Sequence, residues 1–482
     1  MVDIKGLTVK KNENFSEWFT EIVQKAELAD LRFNVKGFLV FQPSSVLVME
    51  KMYSLMEKNL QKKGHKPYWF PTVIPESNFK KEASHVKGFT PNVFWVTHGG
   101  DKELEERLAL RPTSETAFYQ MFALWIRSYK DLPFKTYQRA QVFRYETKAT
   151  RPFLRSREFH WIETHCAFAT QEDALKQVHE DMKTTKEVLH DNFGLPFLFF
   201  ERPAWDVFPG ASRTFAADVL NPDGKVIQQP STHMIKQDFA KAFDIKYKDK
   251  DGIDKYVYTT CYGPSISRIF ASVVIVHGDD KGLRFPWDIA SHHVAIVPIG
   301  NDEKLITKAR ELEEKLSSFC DVVIDTSDKS PGEKFNLWEL KGVPIRIDLG
   351  EKELDSKKLS LFRRDLNKRE SVSEKDLIKH ILNIKSEFTA NLIKESDKVF
   401  TNKIVDSRTL DSMKKLIESG NIVRCGFCSV AFDGKKCAEV IGEKTGAEVR
   451  GTNLIVEKEI ATGNCIVCSK PAKCVVYVAK SY

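Results

Sequence analysis

Two stretches of the chain, residues 136–146 and 156–166, constrain the fold more than any other feature. Each reads as a β-strand, and the polar segment 147–155 joins them, so we predict an antiparallel hairpin with a long loop. Side chains alternate along a strand, so Arg144 and Glu146, two residues apart, would project from the same face.

The second strand of this hairpin places Trp161, Glu163 and His165 on one face by the same alternation. With Arg155 from the loop, these side chains would surround a cavity with an aromatic floor. Arginine suits a phosphate because its planar fork binds two oxygens at once. An ion-pair ladder across the hairpin fits the same spacing, and core packing would explain the tryptophan and the histidine.

Length and composition limit the alternatives. A chain of 482 residues suggests about three domains. A hydrophobic content of 42% argues against a disordered protein. The net charge of +7 fits a polyanionic partner and a solvated basic surface equally well. The apolar run 271–276 is too short to span a membrane, and residues 1–14 lack the apolar segment of a signal peptide. We therefore expect a cytoplasmic protein with no membrane partner.

The pattern changes near residue 286. Short apolar strands at 294–298, 322–324 and 345–349 alternate with a helical pattern at 303–319, which predicts a compact α/β module. A long charged helix, at about residues 373–394, leads to the tail.

The tail carries close-set cysteines. Two C-x-x-C pairs, with one more cysteine between them, give five thiolates for the four positions of a tetrahedral site: Cys425, Cys428, Cys437, Cys465 and Cys468. In a chain without a secretion signal this spacing favours structural zinc over disulfides. The two pairs alone would leave out Cys437, and reduced cysteines without metal are the alternative.

The hairpin also carries a recognisable motif. Residues 143–146 read Phe-Arg-Tyr-Glu, 153–159 read Phe-Leu-Arg-Ser-Arg-Glu-Phe, and 161–165 read Trp-Ile-Glu-Thr-His. This series resembles motif 2 of class II aminoacyl-tRNA synthetases, and most closely that of prolyl-tRNA synthetases of the archaeal and eukaryotic type.

Further segments in the same order extend the resemblance over nearly the whole chain. Residues 68–75 are similar to the motif 1 strand at the family's dimer interface, and 110–115 to its proline-recognition loop. Residues 208–211 and 277–280 are also family-like, and 332–350 resemble its anticodon-binding domain.

The resemblance implies an α+β fold. It consists of a class II antiparallel-sheet catalytic domain at 1–288, an α/β anticodon-binding domain at 289–395, and a small α/β zinc-binding domain at 396–482. It also implies a homodimer through the motif 1 region. The implied reaction joins L-proline to tRNA(Pro) in two steps, prolyl-adenylate formation from ATP with Mg²⁺ and transfer to the tRNA 3′ end. No covalent nucleophile is needed, because the protein aligns the reactants and neutralises charge on phosphorus.

Carried over by motif, the catalytic side chains would be Arg144 and Arg268. The ATP-binding residues would be Arg144, Glu146, Arg155, Ser156, Gln228, Ser231, Ser265 and Arg268. The proline-binding residues would be Thr113, Glu115, Arg144, Trp161, Glu163, His165, His233 and Gly263. Glu115 would supply the anionic partner of the cationic imino group. Segments 228–233 and 261–268 depart from the family pattern.

The family's tail favours Cys428, Cys437, Cys465 and Cys468 as the zinc ligands, and its C-terminal tyrosine reaches toward the active site as Tyr482 would. The anticodon would be read by Arg346, Asp348, Arg363 and Arg364, for which a solvated basic face is the alternative.

The spacing of the motifs leaves no room for the editing insertion of bacterial relatives. A proline-sized pocket excludes smaller amino acids poorly, so we expect misactivation of alanine or cysteine. Two other functions fit parts of the pattern, a class II synthetase for another amino acid such as threonine and a non-catalytic RNA-binding paralogue.

Overall fold

The computed structural model describes residues 6–83, 92–300, 302–454 and 459–482, with only the backbone of 81–83. The chain forms three regions that follow one another in sequence. Among the described residues, no helix combines the length and the apolar character needed to cross a membrane.

The first region is built on a large antiparallel sheet with helices against it. Its helices are α1 (Phe15–Lys25), α2 (Pro43–Lys62), α3 (Glu76–Ala83), α4 (Glu115–Trp125), α5 (Gln171–Thr185), α6 (Gln237–Ala242) and α7 (Ile266–His277). Its strands are β1 (Ala29–Asp30), β2 (Val40–Phe41), β3 (Lys66–Pro67), β4 (Val73–Pro75), β5 (Trp95–Gly99), β6 (Lys102–Leu110), β7 (Phe134–Phe143), β8 (Glu158–Phe168), β9 (Leu198–Glu201), β10 (Ala211–Leu220), β11 (Lys225–Ile235), β12 (Lys246–Lys248), β13 (Asp254–Tyr256) and β14 (Tyr258–Gly263).

The large sheet runs in the order β9-β10-β11-β14-β8-β7-β3 through this region. Its neighbours are antiparallel except for the short parallel pair β3–β7. Helices α2 and α7 pack against the sheet through a single apolar core that includes Met52 and Phe270. The apolar run at 271–276 lies within the buried helix α7.

The second region is an α/β layer structure, as its strand–helix alternation predicts. Its sheet has the order β16-β15-β17-β18-β19. The first three strands are parallel to one another, whereas the pairs β17–β18 and β18–β19 are antiparallel. The elements are β15 (Val294–Pro298), α8 (Glu303–Leu316), β16 (Val322–Ile324), α9 (Pro331–Leu340), β17 (Ile345–Leu349), α10 (Glu351–Ser356), β18 (Lys358–Arg363), β19 (Lys368–Ser373) and the long helix α11 (Leu377–Thr401).

The third region extends the sheet of the first. Its elements are β20 (Ile404–Asp406), α12 (Leu410–Glu418), β21 (Ile422–Phe427), α13 (Lys435–Thr445), β22 (Glu448–Asn453) and β23 (Cys474–Ser481). Strand β22 pairs with β9, and the end of β23 pairs with β11, so that one sheet of eleven strands runs through both regions. The last region is thus joined to the first by backbone hydrogen bonds as well as by side chains.

Two strand predictions need correction. Residues 68–75, expected to form the motif 1 strand, are not one strand. Strand β3 ends at Pro67 and β4 begins at Val73, and the irregular link between them contains Pro71, which has no N–H to donate. Strand β7 ends at Phe143, before Arg144, so the alternation argument does not apply to the two residues for which it was made.

Candidate active site

Arg144 is positioned by the backbone around it and by two aromatic rings. Its N–H donates to the Arg157 carbonyl at 2.9 Å, and its Nε donates to the Pro112 carbonyl at 3.0 Å. The guanidinium carbon lies 5.2 Å from the ring centre of Phe159 and 5.6 Å from that of Trp161. The side chain remains exposed to solvent at the mouth of the site, where it can meet an anion.

Glu146 lies on the loop side of Arg144. Its Oε1 accepts from the Lys148 N–H at 2.9 Å, and its Oε2 is 3.8 Å from Arg155 Nε. This one loose ion pair is far from a ladder across the hairpin. Beside Arg155, Ser156 is buried. The structure therefore brings Arg144, Glu146 and Arg155 to one rim.

Below Arg144, a buried acidic pocket lies between the start of α4 and strand β8. Thr113 Oγ1 lies 2.6 Å from Glu163 Oε1 and also contacts Glu115 Oε2. His165 Nε2 lies 3.3 Å from Glu163 Oε1, and Cys261 Sγ lies 3.9 Å from Glu115 Oε1. The two glutamates, the histidine and the cysteine are all buried.

The two carboxyl groups of this pocket have opposite electrostatic surroundings. Burial and the charge of Glu163 raise the pKa of Glu115. Burial would raise the pKa of Glu163 as well, but His165, Thr113 and the Ser114 N–H outweigh it and lower that pKa to about 2. The pocket thus holds an ionised Glu163. A nearby cation would stabilise the ionised form of Glu115.

Trp161 forms a flat wall of the pocket because Gly263 lies against it. A Cβ on Gly263 would come within 2.5 Å of Trp161 Cζ2, so only glycine allows this contact. The neighbouring His233 lies between Ser231 Oγ at 3.1 Å and Thr214 Oγ1 at 3.0 Å. Burial, helped by the charges of His165 and Arg202, lowers the pKa of His233 to about 3, so this ring is neutral near pH 7.

A cavity with a strongly basic lining opens beside the acidic pocket. Its volume of about 600 Å³ is sufficient for a small ligand. Its lining includes Arg155, Gln228, Arg268 and Tyr482. Arg268 Nη1 donates to the Gln228 carbonyl at 3.1 Å. Burial and the positive charges of Arg144 and Arg155 lower the pKa of Arg268 to about 10, because these cations face each other with too few anions between them.

Helix α7 begins at this basic cavity. Ser265, buried at its N-cap, accepts from the Arg268 N–H at 3.5 Å, so the first turn of the helix faces the cavity with Arg268. Ser265 also forms an isolated antiparallel β-bridge with Trp161 on β8. A pocket with carboxylates at one end and convergent arginines at the other can hold a ligand that is cationic at one end and polyanionic at the other.

The residues predicted to read an anticodon do not form one site. Arg346 and Asp348 share a face of β17, where Arg346 donates to Asp348 at 2.6 Å and to Glu339 at 2.7 Å. The Arg346 guanidinium lies 4.0 Å from the ring centre of Phe335. This polar and aromatic group reaches the surface through Arg369, which contacts both Asp348 and the Phe335 ring and is largely exposed.

The other two arginines point elsewhere. Arg363 is paired with Asp365 at 2.9 Å and reaches Glu387 of α11 at 3.3 Å, on the opposite side of the sheet. Arg364, with no exposed surface, donates to Asp279 of the first region at 2.8 Å and is thereby fixed between the two regions. Their buried ion pairs favour a structural role, and neither side chain belongs to a solvated basic face.

The tail cysteines converge as the family pattern implies. The sulfur atoms of Cys428, Cys437, Cys465 and Cys468 all lie within 4.8 Å of one another, and the first two are 3.6 Å apart. This arrangement of four thiols fits a tetrahedral thiolate site. Cys425 is buried in the adjacent apolar core and is outside the group.

Sequence reasoning missed a second set of residues at the basic cavity. Arg450, from the third region, lines this cavity and forms a buried ion network with Asp218 and Arg202 behind it. They lie far apart in the sequence and belong to no short motif, so no local signal could have found them.

Comparison with known proteins follows the same three regions. Residues 94–277 match the class II tRNA synthetase core domain (G, H, P, S and T), 293–384 an anticodon-binding domain, and 410–482 the C-terminal domain of prolyl-tRNA synthetase. The proline–tRNA ligase of Thermofilum pendens is 47% identical over 99% of both chains. That of Methanopyrus kandleri is 41% identical over 97% of this chain and 96% of its own.

The chain belongs to the proline–tRNA ligase family of class II aminoacyl-tRNA synthetases. Solved structures agree with this assignment. The prolyl-tRNA synthetase of Giardia lamblia in complex with prolyl-adenylate superposes with a TM-score of 0.93 at 37% identity, covering 99% of this chain and 100% of that one. The enzyme of Cryptosporidium parvum, complexed with halofuginone and AMPPNP, gives 0.92 at 27% identity, covering 99% of each.

The predicted family, fold class and enzyme class of the chain are therefore confirmed. Membership over the full length also decides against the threonine enzyme and against a non-catalytic paralogue.

Proposed function

We propose that this ligase activates L-proline with ATP and transfers it to tRNA(Pro), using the acidic pocket for the imino acid and the basic cavity for the nucleotide. The observation that carries this assignment is the charge separation across Arg144, which has Glu115 and Glu163 on one side and Arg155 and Arg268 on the other. Prolinium and a triphosphate have the complementary charges.

In the amino-acid half, Glu115, Glu163 and Thr113 surround the proline imino group, and the neutral rings of Trp161 and His233 limit its volume. A cation held there would favour ionised Glu115, whose pKa is raised in the empty pocket by burial and Glu163. His165 keeps Glu163 oriented and ionised. Gly263 leaves room for the tryptophan wall.

In the nucleotide half, Arg144 lies between the proline carboxylate and the α-phosphate. One carboxylate oxygen attacks α-phosphorus, the bond to the bridging oxygen breaks, and pyrophosphate leaves. Arg144 and Arg268 are the catalytic side chains because positive charge placed before the reaction stabilises charge developing on phosphorus. Glu146, Arg155, Ser156, Gln228, Ser231 and Ser265 hold the nucleotide, and Gln228 would help to hold the magnesium ion that accompanies it.

A terminal ribose hydroxyl of the tRNA then attacks the prolyl carbonyl, and AMP leaves. For the anticodon we retain Arg346 and Asp348, which share one surface with Phe335. Charging takes place where translation does, which is the reason to place the enzyme in the cytoplasm.

Pyrophosphate exchange run with each standard amino acid tests the assignment. Exchange is expected to be strongest with proline. The proposal would be overturned if exchange were strongest with another amino acid, or if no amino acid supported exchange.

We also infer weak activation of alanine and cysteine. The segment between Glu163 and Gly263 is used by α5, β9, β10, β11 and α6 of the first region, which leaves little chain there for an editing insertion. A pocket that accepts a pyrrolidine ring discriminates weakly against smaller side chains. Undetectable adenylate formation with both amino acids at high concentration would contradict this inference.

The proposal also includes domain boundaries after residues 288 and 395. It further includes a structural zinc ion and a homodimer. Four convergent thiols support zinc on Cys428, Cys437, Cys465 and Cys468. For the dimer, the motif 1 region exposes large apolar side chains, with Trp69 91% exposed and Trp125 packed on the adjoining Tyr68. Light scattering of the enzyme and of Trp69→Glu tests this interface, since only a dimer through motif 1 would dissociate.

A further inference from the structure

Arg450 sits in a β-bulge that aims its side chain toward the nucleotide cavity. In the pairing of β22 with β23, Val449 is opposite Val478 and Gly451 is opposite Tyr477, so Arg450 is the extra residue. Bulges commonly redirect a side chain in this way. Gly451 makes this one possible, because it has a φ of 129° and a Cβ there would lie 2.0 Å from the Glu201 carbonyl oxygen.

The redirected guanidinium reaches a carboxylate of the first region. Arg450 Nε donates to Asp218 Oδ2 at 2.7 Å and Nη2 to Oδ1 at 3.2 Å. Arg202 binds the same carboxylate at 2.7 and 3.2 Å, and also donates to the Arg450 carbonyl at 2.9 Å. Asp218 has no exposed surface, so two buried guanidinium groups share one fully buried anion.

This network ends on a residue of the proposed nucleotide site. Asp218 is the cross-strand partner of Gln228 in the β10–β11 pairing. Arg202 Nη2 donates to Gln228 Oε1 at 3.3 Å, while Arg268 binds the Gln228 carbonyl. The side-chain amide of Gln228 is thus oriented from behind by Arg202, whose own position depends on Asp218 and Arg450.

We propose that Arg450 is a positioning residue for ATP, acting from the C-terminal region through Asp218 and Arg202 on Gln228. The inference rests on the proposed nucleotide site. Arg450 itself lines the cavity and adds positive charge to a wall that already carries Arg155 and Arg268. The nucleotide half of the active site is therefore built from two regions, whereas the acidic pocket is built from the first region alone.

The test compares KM for ATP with KM for proline in pyrophosphate exchange. Arg450→Ala is expected to raise KM for ATP by roughly tenfold or more, since small displacements of binding groups have large effects, while KM for proline changes by less than about twofold. Arg450→Lys, which keeps the charge but not the paired contact, is expected to recover part of the loss. Calorimetric binding of a non-hydrolysable ATP analogue without proline gives the same comparison independently of amino-acid activation.

Arg424→Ala is the matched control. It removes another ion-paired arginine of the C-terminal region, one that is bound to Asp406 at 2.6 Å and does not line the nucleotide cavity, and it should leave both KM values unchanged. The double variant with Gln228→Ala tests the route, because two residues acting through one contact give less than additive effects.

Equal increases in both KM values, or an equal effect of Arg424→Ala, would overturn the proposal in favour of a purely structural role. Additive effects of Arg450→Ala and Gln228→Ala would overturn the route through Gln228. If wild-type protein bound the ATP analogue but exchanged no proline, the proposed substrate would fail while the role of Arg450 in nucleotide binding could still be measured.

Discussion

Arg450 of the third region and Asp218 of the first are joined by a paired contact at 2.7 and 3.2 Å, across 232 residues of sequence. The same carboxylate also binds Arg202, so both of its oxygens accept from guanidinium groups. Burial would raise the pKa of Asp218, but the two arginines outweigh it and lower that pKa. The contact fixes the C-terminal region on the sheet beside the nucleotide cavity.

Asp218→Ala should destabilise the protein by about 3–5 kcal/mol, since it removes the buried anion that two guanidinium groups share and leaves Arg450 only the exposed Glu448. Urea unfolding measures this change in the free energy of unfolding. The matched change Asp406→Ala removes the partner of Arg424, a carboxylate that is 66% exposed, and should cost less than about 1 kcal/mol. Similar losses for both variants would contradict the argument.

Glu115→Gln should raise KM for proline roughly 10- to 100-fold, the effect expected when a hydrogen bond to a charged group is lost, with little change in KM for ATP. The variant keeps the shape of the side chain but not its negative charge. Pyrophosphate exchange at varied proline measures it, and Glu105→Gln on the exposed surface of β6 is the control. An effect on ATP instead of proline would place the imino acid elsewhere.

The metal content of cysteine variants separates the two possible ligand sets. Cys437→Ser should lose most of one bound zinc per chain and lower the thermal stability of the C-terminal region, because a structural site contributes to folding. Cys425→Ser should retain the zinc, since this thiol is outside the converging group. Elemental analysis of purified protein decides, and loss of zinc in Cys425→Ser alone would reverse the assignment.

Arg346→Ala should lower the efficiency of tRNA charging by roughly 10- to 100-fold, as for one lost base contact, and leave pyrophosphate exchange unchanged. Arg364→Ala should instead lower stability, because Arg364 is bound to Asp279 between two regions. Aminoacylation at varied tRNA, with unfolding curves for both variants, distinguishes the two. A selective tRNA defect in Arg364→Ala would restore its anticodon role.

Asp181 gives the stability of the protein a pH dependence of its own. Burial raises the pKa of Asp181 to about 7, which hydrogen bonds from Thr232 and Gln177 oppose only in part. An acid whose pKa is higher in the folded state contributes stability that is fully present below its unfolded pKa, near 4, and is lost as the pH rises through about 7. Each tenfold difference in proton affinity between the folded and unfolded states corresponds to about 1.4 kcal/mol.

Relative to Asp181→Asn, the wild type should therefore lose a few kcal/mol in its free energy of unfolding between pH 4 and pH 7. Urea unfolding of both proteins at pH 5 and pH 8 measures the difference. The same gap in stability between the two proteins at both pH values would contradict this prediction.

Local patterns determined much of the molecule. The strands β15, β16 and β17 and the α/β character of the second region follow from short apolar runs that alternate with a helical pattern, because the strands of a parallel sheet covered by helices are apolar almost throughout. The motif residues around Arg144 and Glu163 were found because each stands in a short segment whose chemistry the reaction requires.

Only the tertiary structure decided how distant parts meet. Both Arg346 and Arg364 were predicted to read the anticodon, yet one lies against Phe335 and the other is bound to Asp279. Arg346 lies within β17, whereas Arg364 follows the end of β18, where the chain meets the first region. Arg144 lies beyond its strand, held by the Pro112 carbonyl. Arg450 reaches Asp218 because a bulge and a glycine redirect it, a contact that no local sequence pattern encodes.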